Sequence, residues 1–241
     1  MTATSKVAIV TGASQGIGAA LVKAYRAKGY RVVANSRSIT ADTFAGDAGV
    51  VTVDGSIGER GTAERIVATA VEAFGRVDTL VNNAGIFIAK PFTDYTAEDF
   101  AAKVATNTAG FFFTSQLAIA QMLKQGTPGH VVNITTTLVD QPINGVPSVL
   151  ASLTKGGIDA ATRSIAIEYA ALGIRANNVA PGIIKTPMHT PETHSTFASL
   201  HPVGRMGEIS EIVDAVLYLE DATFVTGETL HVDGGQHAGH W

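Results

Sequence analysis

A glycine cluster, "VAIVTGASQGIG" at residues 7–18, follows a β-branched run and opens a helical pattern. Gly12 would permit a tight turn, and Gly16 and Gly18 would let backbone and helix approach closely. The free N–H groups at the start of such a helix face an anion, so this stretch offers phosphate binding. Its plainer reading is an ordinary strand-to-helix turn. A second set of candidate groups is His189, His194 and His201, all in one Pro- and Gly-containing stretch. Histidine titrates near neutral pH and can give or take a proton. Each of the three also has a plainer reading as a loop residue.

Such groups need a scaffold to hold them. The short apolar runs at 6–10, 31–35, 50–54, 78–82, 130–135, 174–179 and 229–234 read as strands. Several are continuously apolar, as for strands covered on both faces. Helices are expected at 16–28, 59–74, 96–125, 147–172 and 208–220. Leu21, Ala24, Tyr25 and Lys28 follow the helical period, and Gly29 stands where a C-cap glycine belongs. The alternation predicts an α/β fold, a doubly wound seven-stranded parallel sheet with helices on both faces. No linker or repeat interrupts the chain, so a single domain over residues 1–241 is expected, with a long loop at about 182–206. Ligands in such folds bind outside the carboxyl ends of the strands.

The composition narrows the function. The 241 residues are 46% hydrophobic with a net charge of −4, enough for a substantial core. The absence of cysteine excludes disulfides, thiolate metal sites and cysteine nucleophiles. Basic residues are scattered, so neither nucleic acid nor an anionic membrane surface is an expected partner. No apolar run is long enough to cross a membrane, and the start "MTATSKVAIV" lacks the pattern of a signal peptide. A soluble cytoplasmic protein with a small-molecule substrate is expected. His231, His237 and His240 near the end read as an exposed tail, because no carboxylate or cysteine completes a metal cluster.

The glycine spacing is T-G-x-x-x-G-x-G, and other motifs follow in order. They are "NNAG" (82–85), "NTAG" (107–110), "VVNITT" (131–136), "PGIIKTPM" (181–188) and "VDGG" (232–235). In these motifs, over essentially its whole length, the chain resembles the short-chain dehydrogenase/reductase family. The resemblance implies a Rossmann-type NAD(P)-binding domain, hydride transfer, and a homotetramer or homodimer paired through the long helix and the closing strand. It places Gly12, Ser14, Gln15, Gly16, Ile17 and Gly18 at the phosphates. It places Asp54 and Gly55 at the adenine, Asn83, Ala84 and Gly85 along the ribose, and Pro181, Gly182, Ile184 and Thr186 at the nicotinamide. The second strand ends "ANSRS", which brings Asn35, Ser36 and Arg37 to the cofactor: Ser36 stands where the family's NAD users carry Asp, and Arg37 follows. A guanidinium forks onto a phosphate where a carboxylate would repel it, so NADP (as NADPH) is the expected cofactor.

The reaction end departs from the family. Its carbonyl reductases use a Ser that holds the oxygen, a Tyr that gives the proton, a Lys four residues later and an Asn on the long helix. Residues four apart lie on one helix face, and an ammonium beside a phenol favours the phenolate. Asn107 and Lys155 match the Asn and Lys, but Ala151 stands in the Tyr position, and no Tyr occurs between Tyr95 and Tyr169. Thr135, Thr136 and Thr137 replace the serines, with Thr136 favoured for the role. Thr137, Ala151, Met188 and His189 are expected to line the substrate pocket. Three readings stay open. The chain is a reductase of C=O or C=N bonds with another proton donor or none. It is an inactive NADP-binding sensor. Or it is a supporting subunit of a mixed assembly.

Overall fold

A computed structural model describes residues 5–239 of the chain. The apolar runs form strands β1 (Val7–Thr11), β2 (Arg31–Ser36), β3 (Val50–Asp54), β4 (Thr79–Asn82), β5 (Gly129–Ile134), β6 (Ile174–Pro181) and β7 (Thr229–Val232). All pair in parallel, in the order β3-β2-β1-β4-β5-β6-β7. Alternate side chains of one strand serve opposite faces. Ala8 and Val10 meet one apolar cluster, while Val7 and Ile9 meet the other.

Helices cover both faces. Helices α1 (Gly16–Ala27) and α7 (Ile209–Asp221) bury Leu21, Val22, Tyr25, Ile212, Val216 and Leu219 in the first cluster. On the second face, α2 (Arg60–Phe74), α4 (Gly110–Gln125) and α5 (Val149–Tyr169) bury Ile66, Ala70, Ala118, Met122 and Ala166. The expected sheet is therefore present. The order reverses between β1 and β4, which opens a crevice at their carboxyl ends. No helix among the described residues is long and apolar enough to cross a membrane.

The long helix expected at 96–125 is not uniform. Helix α3 (Ala97–Lys103) passes through a π-helical stretch, Val104–Ala109, before α4. Such widened turns recur at functional sites because they re-aim a side chain. The expected long loop contains a short helix, α6 (His194–Ala198). On the long helix, Phe111 and Ile119 are buried within the chain at 8% and 5% exposure.

Two buried polar networks hold the sheet. Near the carboxyl ends, Asn82 Nδ2 donates to Asn133 Oδ1 at 2.8 Å, and Asn133 Nδ2 donates to Asn178 Oδ1 at 3.2 Å, linking β4, β5 and β6. At the amino ends, Glu220 accepts from Tyr25 (3.3 Å), Tyr30 (2.9 Å) and Thr79 (3.0 Å) and meets His130 Nδ1 at 3.0 Å. Burial alone would raise the Glu220 pKa, but hydrogen bonds and charge from His130, Tyr30 and Thr79 hold it down at about 2. That stabilisation is fully present above the unfolded carboxylate range near 4.5 and is lost as pH falls through about 2. Glu220→Gln is expected to cost about 1–3 kcal/mol at neutral pH. The deficit relative to the parent should shrink near pH 3, as read by urea unfolding at both pH values.

Candidate active site

The crevice is a cleft of ≈ 430 Å³, within the ordinary range for ligand sites. Its nucleotide end is built by the β1–α1 turn. Gly12 takes φ 66°, and a Cβ there would lie 2.9 Å from Ala84 Cα. A Cβ on Gly18 would lie 2.2 Å from Gly12 O, so helix and turn touch backbone to backbone. The α1 N-cap, Gln15, offers no side-chain bond to the first turn, which leaves backbone N–H groups for a ligand. Asn83 Nδ2 donates to Thr11 O at 2.9 Å, and Asn83 N and Ala84 N donate to Thr11 Oγ1 at 3.1 and 3.0 Å. The β1 and β4 ends thereby share one wall.

Of the residues expected at this end, Gly12, Ser14, Gln15, Gly16, Ile17, Asn35, Ser36, Arg37, Gly55, Asn83, Ala84 and Gly85 line the cleft. Arg37 is exposed at the rim and makes no hydrogen bond or ion pair among the described residues. Ser36 beneath it is 9% exposed. No carboxylate lines the cleft, so a phosphate entering it meets backbone N–H groups and a guanidinium. Gly18 lies behind the lining as a packing residue. Asp54, expected at the adenine, points outward and is exposed, and its carbonyl accepts from Arg65 at 2.7 Å.

The reaction end gathers Asn107, Thr136, Ala151 and Lys155 in the same cleft. Asn107, on the π-helical stretch, accepts from Ile86 N at 3.0 Å and donates to Ile86 O at 3.3 Å and Thr154 Oγ1 at 3.2 Å. Lys155 stands one turn after Ala151 on α5, and its Nζ donates to Ile134 O. A Cβ on Gly85 would lie 3.2 Å from Lys155 Nζ and 3.4 Å from Asn107 Oδ1, so both groups converge over that glycine. Burial first, and then the charge of Lys103, push the Lys155 pKa down to about 8.

The three threonines separate by hydrogen bonding. Thr135 Oγ1 donates to Val179 O at 3.2 Å, and Thr137 Oγ1 donates to Asp233 Oδ2 at 2.6 Å. Thr136 Oγ1 only accepts, from Leu138 N at 3.3 Å, so its proton stays available at the cleft. Thr137 is therefore corrected as a pocket residue: it is 1% exposed and faces the C-terminal segment.

Pro181, Gly182, Ile184, Thr186, Met188 and His189 also line the cleft. Burial, followed by the charge of His194, lowers the His189 pKa below its ordinary value. His201 does not reach the cleft lining. It is 3% exposed, with Nε2 accepting from Ile183 N at 2.9 Å and Nδ1 facing Phe197 O at 2.9 Å, a clamp for residues 182–206. His231 and His237 stack on one another and bond Asp140 and Asp233. His240 lies outside the described residues.

A profile described as "Enoyl-(Acyl carrier protein) reductase" matches residues 12–237. The chain belongs to the short-chain dehydrogenase/reductase family. It is 36% identical over 246 residues to glucose 1-dehydrogenase of Gluconobacter oxydans (strain 621H), covering 95% of this chain and 91% of that one. ElxO with NADP bound superposes with a TM-score of 0.90 at 29% identity, covering 98% of this chain and all of that one. The 3-ketoacyl-(acyl-carrier-protein) reductase from Brucella melitensis, complexed with NADH, also gives 0.90 at 29% identity, over 96% of this chain and 98% of that one. Two of these relatives are named as a dehydrogenase and a reductase, and the two structures hold nicotinamide cofactors.

Among the lining residues that the sequence did not point to are Phe87 and Lys103. A lysine in an exposed-looking helix reads as solvated. The one available signal was its spacing, four residues before Asn107, which puts both on one face. The cradle gives a direct test. Gly18→Ala forces a methyl onto Gly12 O and is expected to cost about 1–3 kcal/mol by overpacking. A lowered melting temperature together with weakened NADPH binding is the expected reading.

Proposed function

We propose that this protein is an NADP-dependent reductase acting on a small organic C=O or C=N substrate held beneath residues 182–206. The observation that carries the reading is continuity: the phosphate cradle at Gly12–Ile17, Arg37, and the Asn107, Thr136 and Lys155 cluster share one cleft. A bound nicotinamide supplies the hydride. Arg37 and Ser36 hold the 2′-phosphate at the rim. The first-turn N–H groups of α1 hold the pyrophosphate. Lys155 and Asn83 bind the nicotinamide ribose, and Ile184 and Thr186 hold the nicotinamide amide. The Thr136 hydroxyl donates to the substrate oxygen and orients it. Asn107 fixes the Ile86 backbone, which keeps Gly85 open against Lys155.

Ala151 replaces a phenol by a methyl and leaves a larger, less polar wall. It is 2% exposed and brings no proton. A protonated imine carries its own proton, and a ketone requires another donor. The same alanine supports a second reading, an NADP-binding protein without chemistry. NADPH oxidation by the purified protein against paired ketones and cyclic imines separates the two. Turnover of either class supports the reductase. Tight NADPH binding without turnover, together with ketone activity gained by Ala151→Tyr, supports the second reading.

The cofactor assignment has its own test. Charge-assisted bonds to a phosphate contribute about 1.5–3 kcal/mol, or roughly 10- to 150-fold in affinity. Arg37→Ala is expected to weaken NADPH by that factor and leave NADH within about threefold, as read by fluorescence titration of both. Equal losses for the two cofactors would reject NADP preference.

A further inference from the structure

One cation in the cleft is used by none of these roles. Lys103 closes α3 and its side chain is 0% exposed. Its Nζ makes no hydrogen bond or ion pair among the described residues. Asp99, one turn earlier on the same helix, is taken by Lys90 at 2.5 Å and by Thr96 N at 3.0 Å. The ammonium instead sits 4.9 Å from the centre of the Phe87 ring. A buried cation without a hydrogen-bonding partner is costly, and a fold retains one where a ligand or a reaction uses it.

The surroundings say what use fits. The charged or titratable residues lining the cleft are Arg37, Lys103, Lys155 and His189. Arg37 is at the far, nucleotide end and does not release a proton. Lys155 is bonded to Ile134 O. His189 is pushed toward its neutral form, which makes it a poor acid at neutral pH. Lys103 lies close enough to Lys155 for its charge to be felt there, and Lys155 in turn is one turn from Ala151. Phe87, which covers the ammonium, is 41% exposed at the cleft, so rotation of one ring uncovers a long, unanchored side chain beside the space that Ala151 leaves.

Resting on the reductase reading above, we propose that Lys103 is the proton donor of this enzyme and that the substrate is a carbonyl compound rather than an imine. The step balances. The substrate C=O π bond breaks, its carbon takes the hydride from the dihydronicotinamide, and its oxygen takes the proton of the Lys103 ammonium. One C–H and one O–H bond form, the cofactor is left oxidised, and Lys103 is left as a neutral amine. Water reprotonates the amine after the alcohol leaves. Burial brings the Lys103 pKa down to about 8, which keeps it protonated at neutral pH yet far more acidic than an ordinary lysine.

The experiment compares parent, Lys103→Met, Lys103→Arg and the Lys103→Met/Ala151→Tyr double variant. NADPH oxidation with a ketone panel is followed across pH, with NADPH binding measured alongside. Lys103→Met should lose about 10²- to 10⁴-fold in kcat with NADPH binding retained. Lys103→Arg should lose as much, because a guanidinium keeps the charge and withholds the proton. The parent rate should fall as pH rises through about 8, where Lys103 and Lys155 both titrate, and both single variants should keep only the shallower fall that Lys155 carries. The double variant should regain ketone turnover. A second readout needs no activity: NMR of lysine-labelled protein should show two ammonium groups titrating near 8, of which one is lost in Lys103→Met and the other in Lys155→Met. Parent-like turnover in Lys103→Met or Lys103→Arg would overturn the proposal and leave the reductase reading standing. So would a parent that reduces imines alone. A parent with no turnover on either class would overturn both.

Discussion

The Thr11 hydroxyl ties the ends of β1 and β4 together, and the site is assembled around that tie. It donates to Val81 O at 3.3 Å and accepts from two consecutive backbone N–H groups, Asn83 and Ala84. Strand order reverses here, and the β1–β4 ladder itself stops at the Val10–Val81 pair. Without the hydroxyl, Ala84 N would lose its partner at the floor of an open cleft, and Asn83 N would keep only Val81 O. With it, the glycine turn after β1 and the "NNAG" turn after β4 become one surface. The space is so short that Gly12 admits no side chain against Ala84. Nucleotide end and reaction end are in register because this contact sets the distance between them.

The electrostatics follow from the same geometry. The cleft collects the N-terminus of α1, Arg37 and two lysines, and no carboxylate lines it. Each feature favours an anion, and together they favour a long polyanion lying across the switch point. The cost falls on the lysines, which lose water, and Lys155 also feels the charge of Lys103. Both respond by becoming more acidic. A site organised to hold phosphate thereby generates acidic ammonium groups at its other end.

Much of this was written locally. The apolar run of β1 and the short apolar centres of β2, β4 and β5 marked strands covered on both faces, and the T-G-x-x-x-G-x-G spacing marked a strand-to-helix turn with a close neighbour. What stayed hidden depends on neighbours distant in sequence. The π-helical stretch at Val104–Ala109 has no propensity signature, since its residues continue an ordinary helical pattern. Thr135, Thr136 and Thr137 are chemically alike, and only Val179 and Asp233 decide that Thr136 keeps a free proton. Asp54 ends a strand whose alternation turns its side chain to solvent. His201 looked like a candidate acid, but Ile183 N and Phe197 O use both of its ring nitrogens.

Positions 103 and 151 are best understood as a pair. A phenol at 151 beside Lys155 would be a weak acid made usable by one ammonium. Remove the phenol and a proton donor is lost, but so is the bulk that would fill the wall between α3 and α5. Put a lysine on the facing helix, four residues before Asn107, and the cleft again holds an acid, now a cation rather than a neutral group. The exchange alters the charge bookkeeping of the step. A phenol that gives its proton becomes an anion held by a neighbouring cation, whereas an ammonium that gives its proton becomes neutral and relieves its repulsion with Lys155. Proton release from Lys103 is therefore favoured by the same burial that makes the resting ammonium costly.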